Sequence, residues 1–325
     1  MVARRSLILL SGAMLVAGCS ATTASETPVS PVVAPPTTVA PPTTRARTTA
    51  PALTETPSTQ PAPSAAPVET VPPPEVSVLD RPLAAVGEAN GLETARIQLR
   101  LIEVGFWVSH FDGKYGRTTR QGVMAFQKYS GLEPTGTVDE ATAMALTIVT
   151  ARPAGRTVDP GVVVEIDKNR QLLFLVVDGR VEWALNISTG SGQYYLEINQ
   201  KDPSKWEYGR SLTPSGRFAV DRERPDGWWQ GDLGEIYRPK YFNGGIAIHG
   251  SPSIPNYPAS HGCVRVSTPA MDMIWASGLV PIGTPVWVYG DDVPAFGEPP
   301  VPPPPVTEPP PFTFPPFTFP TITFP

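Results

Sequence analysis

Between Gly91 and Leu146 the apolar positions recur at helical spacing, whereas from Val162 onward they come in short blocks of strand length. A first helix follows Gly91, with Leu92, Ala95, Ile97, Leu99, Leu101 and Ile102 expected on its packed side. A second covers Thr118 to Tyr129, opened by Thr118 or Thr119, with Val123, Ala125 and Phe126 turned inward. A third starts behind Asp139 as N-cap and carries Ala141, Met144, Ala145 and Leu146. Then the period changes. Val162 to Ile166 and Gln171 to Val177 are strand-like runs joined by Asp167-Lys168-Asn169-Arg170, and Asp178-Gly179 turns the chain into Val181 to Ile187, which together predict a β-meander. Gly216 to Val220, Gly245 to Ile248 and Pro285 to Tyr289 add strands, and Pro269 to Ser277 is the single helix expected among them. The fold class is therefore a small all-α three-helix domain, residues 83–152, followed by a mainly β domain of sandwich or meander type with one helix, residues 158–292. The break falls near Ala151-Arg152-Pro153-Ala154-Gly155.

Composition changes the picture at both ends. Of the 325 residues 42 are proline, concentrated in residues 19–82 and 293–325. The first stretch mixes Pro, Thr, Ala and Val with few aromatics, too little apolar surface to offset chain entropy, so a disordered, semi-rigid spacer is expected. In the polyproline II state a spacer of about 60 residues reaches on the order of 150–190 Å. The second stretch is likewise expected to be disordered and contains the repeat Pro311 to Pro315 and Pro316 to Pro320, each with Phe-Thr-Phe at its centre. The net charge of −5 and the absence of a Lys/Arg block leave no electrostatic footprint for nucleic acid, which excludes that class of partner.

Two cysteines and three histidines carry the candidate chemistry. Residues 1–18 have a basic start at Arg4-Arg5, an apolar run from Leu7 to Ala17 and small residues before Cys19, the build of an export signal and too short to span a bilayer. A cysteine at the edge of a removable segment cannot staple a distant core, so no disulfide with Cys263 is expected. Cys263 sits in Ser260-His261-Gly262-Cys263-Val264-Arg265, fourteen residues beyond His249-Gly250 at a strand end. A thiol with a free pKa of about 8.5 needs a base or cation beside it to attack, and His249 or His261 can supply that. Gly262 permits a sharp turn that would leave the Cys263 amide open to an oxyanion, and Arg265 offers a forked donor for a carboxylate. His110, in a polar turn, reads as surface.

These motifs resemble known families. The ending Leu15-Val16-Ala17-Gly18-Cys19 is similar to a bacterial lipobox, which implies acylation of Cys19, a lipid anchor in the membrane and an extracytoplasmic protein reaching into the cell wall; Arg4-Arg5 leaves a twin-arginine route open. Gln98-Leu99, Gly105-Phe106-Trp107, Asp112 to Gly116, Ala125-Phe126-Gln127 and Thr135 to Asp139 resemble the peptidoglycan-binding helical domain. His249-Gly250 followed by Ser260 to Arg265, with Ser188-Thr189-Gly190 and Thr213 to Phe218 upstream, resembles the L,D-transpeptidase catalytic domain, with Val264 and Val266 where larger aliphatics are frequent. That resemblance implies Cys263 as nucleophile, His249 as general base, the Gly250 carbonyl orienting the imidazole, His261 lining the site, Gly262 at the oxyanion turn, and Arg265, Ser260, Tyr237 and Tyr241 toward substrate. It also implies peptidoglycan stem peptides as substrate, a thioester on Cys263 with release of D-alanine, cross-links between diaminopimelates, no cofactor or metal, and a monomer.

Other readings compete. A zinc site from His249, His261 and Cys263 would lack an assigned fourth ligand. Water in place of an amine acceptor would make the same site a carboxypeptidase or endopeptidase, and a silent catalytic domain would leave a wall-binding lipoprotein. Tyr194 to Phe242, with Tyr195, Trp206, Trp228, Trp229, Tyr237 and Tyr241, is expected to hold a lid, although core packing is the ordinary fate of any one of these rings.

Overall fold

A computed structural model describes residues 76–303; the candidate export signal, Cys19, most of the proline-rich spacer and the Phe-Thr-Phe repeat lie outside the described residues. Three helices come first, α1 (Leu92–Glu103), α2 (Arg117–Ser130) and α3 (Glu140–Ile148), and Asp139 caps α3 by accepting from the Thr142 amide at 2.8 Å. Their packing is more polar than the apolar pattern suggested. Leu92 and Leu99 are exposed, while Thr94, Gln98 and Arg100 are buried. Each buried polar side chain is spent on backbone. Gln98 donates to the Lys114 carbonyl and accepts from the Gly113 amide, and Gln127 does the same for Thr137 and Gly136. Arg100 closes the end of α3 by donating to the carbonyl of Val149 and, through Nε, to that of Leu146.

The β part is two packed sheets. The first has the order β3-β2-β1-β12-β6, from β1 (Val162–Asp167), β2 (Leu172–Val177), β3 (Arg180–Asn186), β6 (Gly216–Ala219) and β12 (Pro285–Tyr289). The meander β1-β2-β3 is antiparallel, and the last strand returns to pair parallel with β1. The second sheet has the order β11-β10-β9-β7, from β7 (Arg222–Glu223), β9 (Gly234–Asn243), β10 (Ile246–Ser251) and β11 (Val264–Ser267), with β8 (Trp228–Gly231) paired on β9. A separate hairpin joins β4 (Tyr194–Ile198) to β5 (Trp206–Arg210), and α4 (Thr268–Ser277) packs on β9, β10 and β11. Val164, Ile166, Leu173, Leu175, Ile248, Val264, Val266, Met271, Val286 and Val288 fill the space between the sheets.

The unbroken apolar run of β2 is explained by burial on both faces. Leu173 and Leu175 point to the second sheet, whereas Leu172, Phe174 and Val176 join Phe106, Phe126 and Leu146 in a core shared with the helices. The chain between α1 and α2 also pairs with the edge of the first sheet, where the Ala184 amide donates to the Gly105 carbonyl at 2.8 Å.

Ordered packing extends into both stretches that composition assigned to tails. Val76 is buried and its amide bonds Thr150, and Leu83 joins the helical core, so ordered packing starts inside the expected spacer. At the other end Val293 and Pro294 accept from Arg210 and Gln193, tying the start of the expected tail to the root of the β4–β5 hairpin. Among the described residues no helix is long and apolar enough to cross a membrane.

Candidate active site

Strand pairing builds the site. β10 lies between β9 and β11, and its hydrogen bonding continues through Ser251, so His249 sits inside a strand and not at its end. β10 and β11 are parallel with His249 opposite Arg265 and Ile248 opposite Val264. Side chains alternate along a strand, so Ile248, Val264 and Val266 enter the core while His249, Cys263 and Arg265 line one cavity of about 390 Å³.

The turn that carries Cys263 is pinned from three sides. The Ser260 hydroxyl donates to the Cys263 carbonyl at 2.6 Å and accepts from the Gly262 amide at 3.0 Å. Thr213 donates its hydroxyl to the Gly262 carbonyl at 2.6 Å and accepts from the Gly190 amide, and the Ala259 and Ser260 amides both donate to the Thr189 carbonyl. Gly262 has φ +142°, and a Cβ there would lie 2.7 Å from the Leu212 carbonyl oxygen, so the close approach requires glycine. The two upstream motifs are thus the frame of this turn.

His249 is buried, and its Nδ1 lies 2.9 Å from the Gly250 carbonyl oxygen. An Nδ1–H donated to that carbonyl leaves Nε2 as the lone-pair nitrogen. Burial lowers the imidazole pKa to about 4, and the positive charge of Arg265 acts in the same direction against the Gly250 bond. Burial also pushes the Cys263 thiol up, opposed by a hydrogen bond from the Ala247 backbone and by Arg265. The resting pair is therefore neutral thiol and neutral imidazole, with the sulfur turned to the Gly245 carbonyl at 3.7 Å. The Arg265 guanidinium is half-buried, and no carboxylate pairs with it among the described residues.

The remaining expected site residues divide. Tyr241 lines the cavity under the Arg222 guanidinium. His261 lines it too, with Nε2 2.8 Å from Glu197 on β4 and the Tyr195 ring edge-on at 5.0 Å. Ser260 lines the cavity too, with its hydroxyl hydrogen-bonded within the Cys263 turn. Tyr237 is not among the cavity residues: it packs beside Gly250, and its hydroxyl donates to Asp272 at 2.9 Å. Trp206, Trp228 and Trp229 are exposed and not packed in a core. The β4–β5 hairpin and the β8–β9 turn form the outer wall through Tyr195, Glu207, Asp232 and Glu235. Glu197 and Thr213 escaped the reading by chemistry, because neither lies next in sequence to the residue it holds. Among the described residues no group of three His, Cys, Asp or Glu is placed to hold a metal ion.

Comparison with known proteins adds to this geometry. Residues 161–288 match the L,D-transpeptidase catalytic domain, and residues 90–146 match the putative peptidoglycan binding domain. The crystal structure of an L,D-transpeptidase from Xylanimonas cellulosilytica is 44% identical, over 66% of this chain and 100% of that one, with a TM-score of 0.57. This chain belongs to the L,D-transpeptidase family. Other structural likenesses are an L,D-transpeptidase from Stackebrandtia nassauensis, 18% identical over 66% of this chain and 97% of that one with TM-score 0.36, and one from Mycobacterium smegmatis, 20% identical over 44% and 63% with TM-score 0.30. No curated protein sequence matches the chain. Membership of the L,D-transpeptidase family supports an enzyme of cell-wall transpeptidase type, and the helical domain supports peptidoglycan as its substrate.

Proposed function

We propose that this L,D-transpeptidase family member cross-links peptidoglycan stem peptides through an acyl-enzyme on Cys263. The observation that carries the reading is the convergence of Cys263, His249 and Arg265 in one cavity, with His249 held by the Gly250 carbonyl. The thiol rotates from the Gly245 carbonyl to Nε2 of His249 and gives up its proton as sulfur attacks the carbonyl at the L-centre of diaminopimelate. The Cys263 amide at the Gly262 turn donates to the developing oxyanion, an interaction worth about 3–4 kcal/mol. The imidazolium returns its proton to the departing D-alanine, leaving a thioester. Arg265 receives a substrate carboxylate. The side-chain amine of a second stem then attacks the thioester and forms the bond between two diaminopimelates. Buried, neutral partners suit this sequence, because charge separates only while substrate excludes water.

Intact mass of the protein after incubation with a tetrapeptide stem, with and without an acceptor stem, tests the reading. An adduct on Cys263, absent in Cys263→Ala, together with a dimeric product is expected. An adduct with only trimmed peptide would mean hydrolysis, and no adduct would leave a wall-binding protein. We infer further that Cys19 is lipidated and that the proline-rich spacer carries the folded part into the wall. Cys19→Ala is expected to move the protein from the membrane to the soluble fraction with its acylation chemistry intact; retention on membranes would overturn the anchor.

A further inference from the structure

The second half of the proposed reaction has a proton that the first half does not. An amine side chain arrives at neutral pH as an ammonium, and two of its protons must leave before the amide is formed. One returns to the sulfur as the C–S bond breaks, by way of His249. The other goes to a second acceptor, because the buried His249 serves the sulfur and the sulfur itself is acylated until the C–S bond breaks.

A second acceptor is present in the same cavity. His261 lies two residues before Cys263 and lines the cavity with it. Its Nε2 is 2.8 Å from a carboxylate oxygen of Glu197, which fixes Nε2–H as donor and leaves Nδ1 with the lone pair. The Tyr195 ring, edge-on at 5.0 Å, holds the imidazole in place. Glu197 comes from a different element, the β4–β5 hairpin, where it stands directly opposite Glu207, a cavity residue. Two like charges directly opposite one another on a hairpin are unfavourable by themselves. The hairpin tolerates them because Glu207 accepts from Asn199 at 2.7 Å and Glu197 is matched with His261. Both carboxylates also face Tyr195 closely enough to raise its phenol pKa further, after burial. Of the other charged groups lining the cavity, Lys201 and Asp232 are paired with each other at 3.0 Å, the Arg222 guanidinium lies over the Tyr241 ring, and Glu235 stands on the β8–β9 turn.

We propose that His261, oriented and charge-supported by Glu197, accepts the first proton of the incoming ammonium in the transfer step. This rests on the acyl-enzyme reading above. The proton passes from the ammonium to Nδ1 of His261. The neutral amine attacks the thioester carbon, the C–S bond breaks, and the remaining proton reaches the sulfur through His249. His261 then releases its proton to solvent, so the cycle closes with amide, thiol and one proton. Glu197 is a positioning residue, since it acts through His261.

The test separates the two half-reactions in the full chain. Acyl-enzyme formation from a tetrapeptide stem is followed by intact mass, and dimer formation by chromatography with a stem acceptor or with hydroxylamine, an amine already uncharged at neutral pH. Glu197→Gln is expected to form the adduct at the parent rate and to slow transfer to the stem acceptor by at least about tenfold, while transfer to hydroxylamine stays at the parent rate. Unchanged transfer to the stem acceptor would overturn the inference. So would an equal loss with both amines, which marks a structural role for the hairpin, or a loss of adduct formation in the variant alone. Failure of the parent protein to form any adduct would instead remove the acyl-enzyme reading, and this inference with it.

Discussion

Gln121 of α2 donates its side-chain amide to the carbonyl of Ile254 at 3.3 Å, and Ile254 lies on the loop that runs from His249 to the nucleophile turn. The same side chain accepts from Asn186 on β3 at 2.6 Å, and the Asn256 side chain of that loop donates to Pro134 of the helical domain. The helical domain is thus a wall of the catalytic loop as well as a candidate wall-binding module. Gln121→Ala leaves the Asn186 amide without this partner, at a cost of about 1–3 kcal/mol. Thermal unfolding should shift down accordingly, and acylation of Cys263 by a tetrapeptide stem should slow because the loop loses a tether.

Gly262→Ala should be more damaging to chemistry than to folding. The backbone is in a region that side chains rarely adopt, and the added carbon would meet the Leu212 carbonyl at 2.7 Å. Such strain costs about 1–3 kcal/mol. The turn can relieve it only by moving Cys263, so the adduct rate should fall by at least about tenfold, a consequence of misplaced reacting atoms. Intact-mass kinetics read this directly, and a parent-like rate would show that the turn is not held as described.

Acidification should reveal the buried base. His249 has a folded pKa of about 4 against an ordinary value of 6.5, so between these pH values the unfolded chain binds a proton that the folded protein does not. The stability this confers is present above about pH 6.5 and is lost as pH falls toward 4. His249→Gln should flatten the slope of melting temperature against pH in that window. The neutral imidazole also persists well below its ordinary range, so the acid limb of Cys263 acylation by a tetrapeptide stem should lie near pH 4 and not near 6.5.

Phe106 joins the two folded parts. Its ring meets Phe126 at 5.4 Å and Tyr129 at 5.9 Å, and Tyr129 meets Phe174 of β2 at 6.2 Å. Phe106→Ala should cost about 3–5 kcal/mol, as expected for a buried aromatic. Calorimetry should show one transition for helices and sheets in the parent protein. A chain cut to begin at residue 158 would bare Leu172, Phe174 and Val176, and should aggregate.

Local pattern sufficed where a residue's role depends on its neighbours in sequence. The period change near residue 151, the Asp139 cap, the three-strand meander and the Pro269 helix follow from spacing and turn chemistry, and the structure keeps them. That Cys263 and His249 line one cavity follows from a strand and the loop after it holding both. Other features depend on segments that meet only after folding. Arg100 is buried because the carbonyls ending α3 come to it, and Leu99 is left outside for the same reason. Ser260 is drawn into the turn, and Tyr237 is drawn to Asp272 on α4. Glu197 reaches His261 from 64 residues away, across a hairpin whose placement no local periodicity encodes. The sequence by itself determined the four helices, the strands β1, β2, β3, β6, β10 and β12 and which residues carry reactive groups, since backbone propensity and side-chain chemistry are local properties. Tertiary structure alone decided which polar groups distant in sequence are paired, because desolvation favours a partner for a buried donor or acceptor wherever in the chain one can be brought.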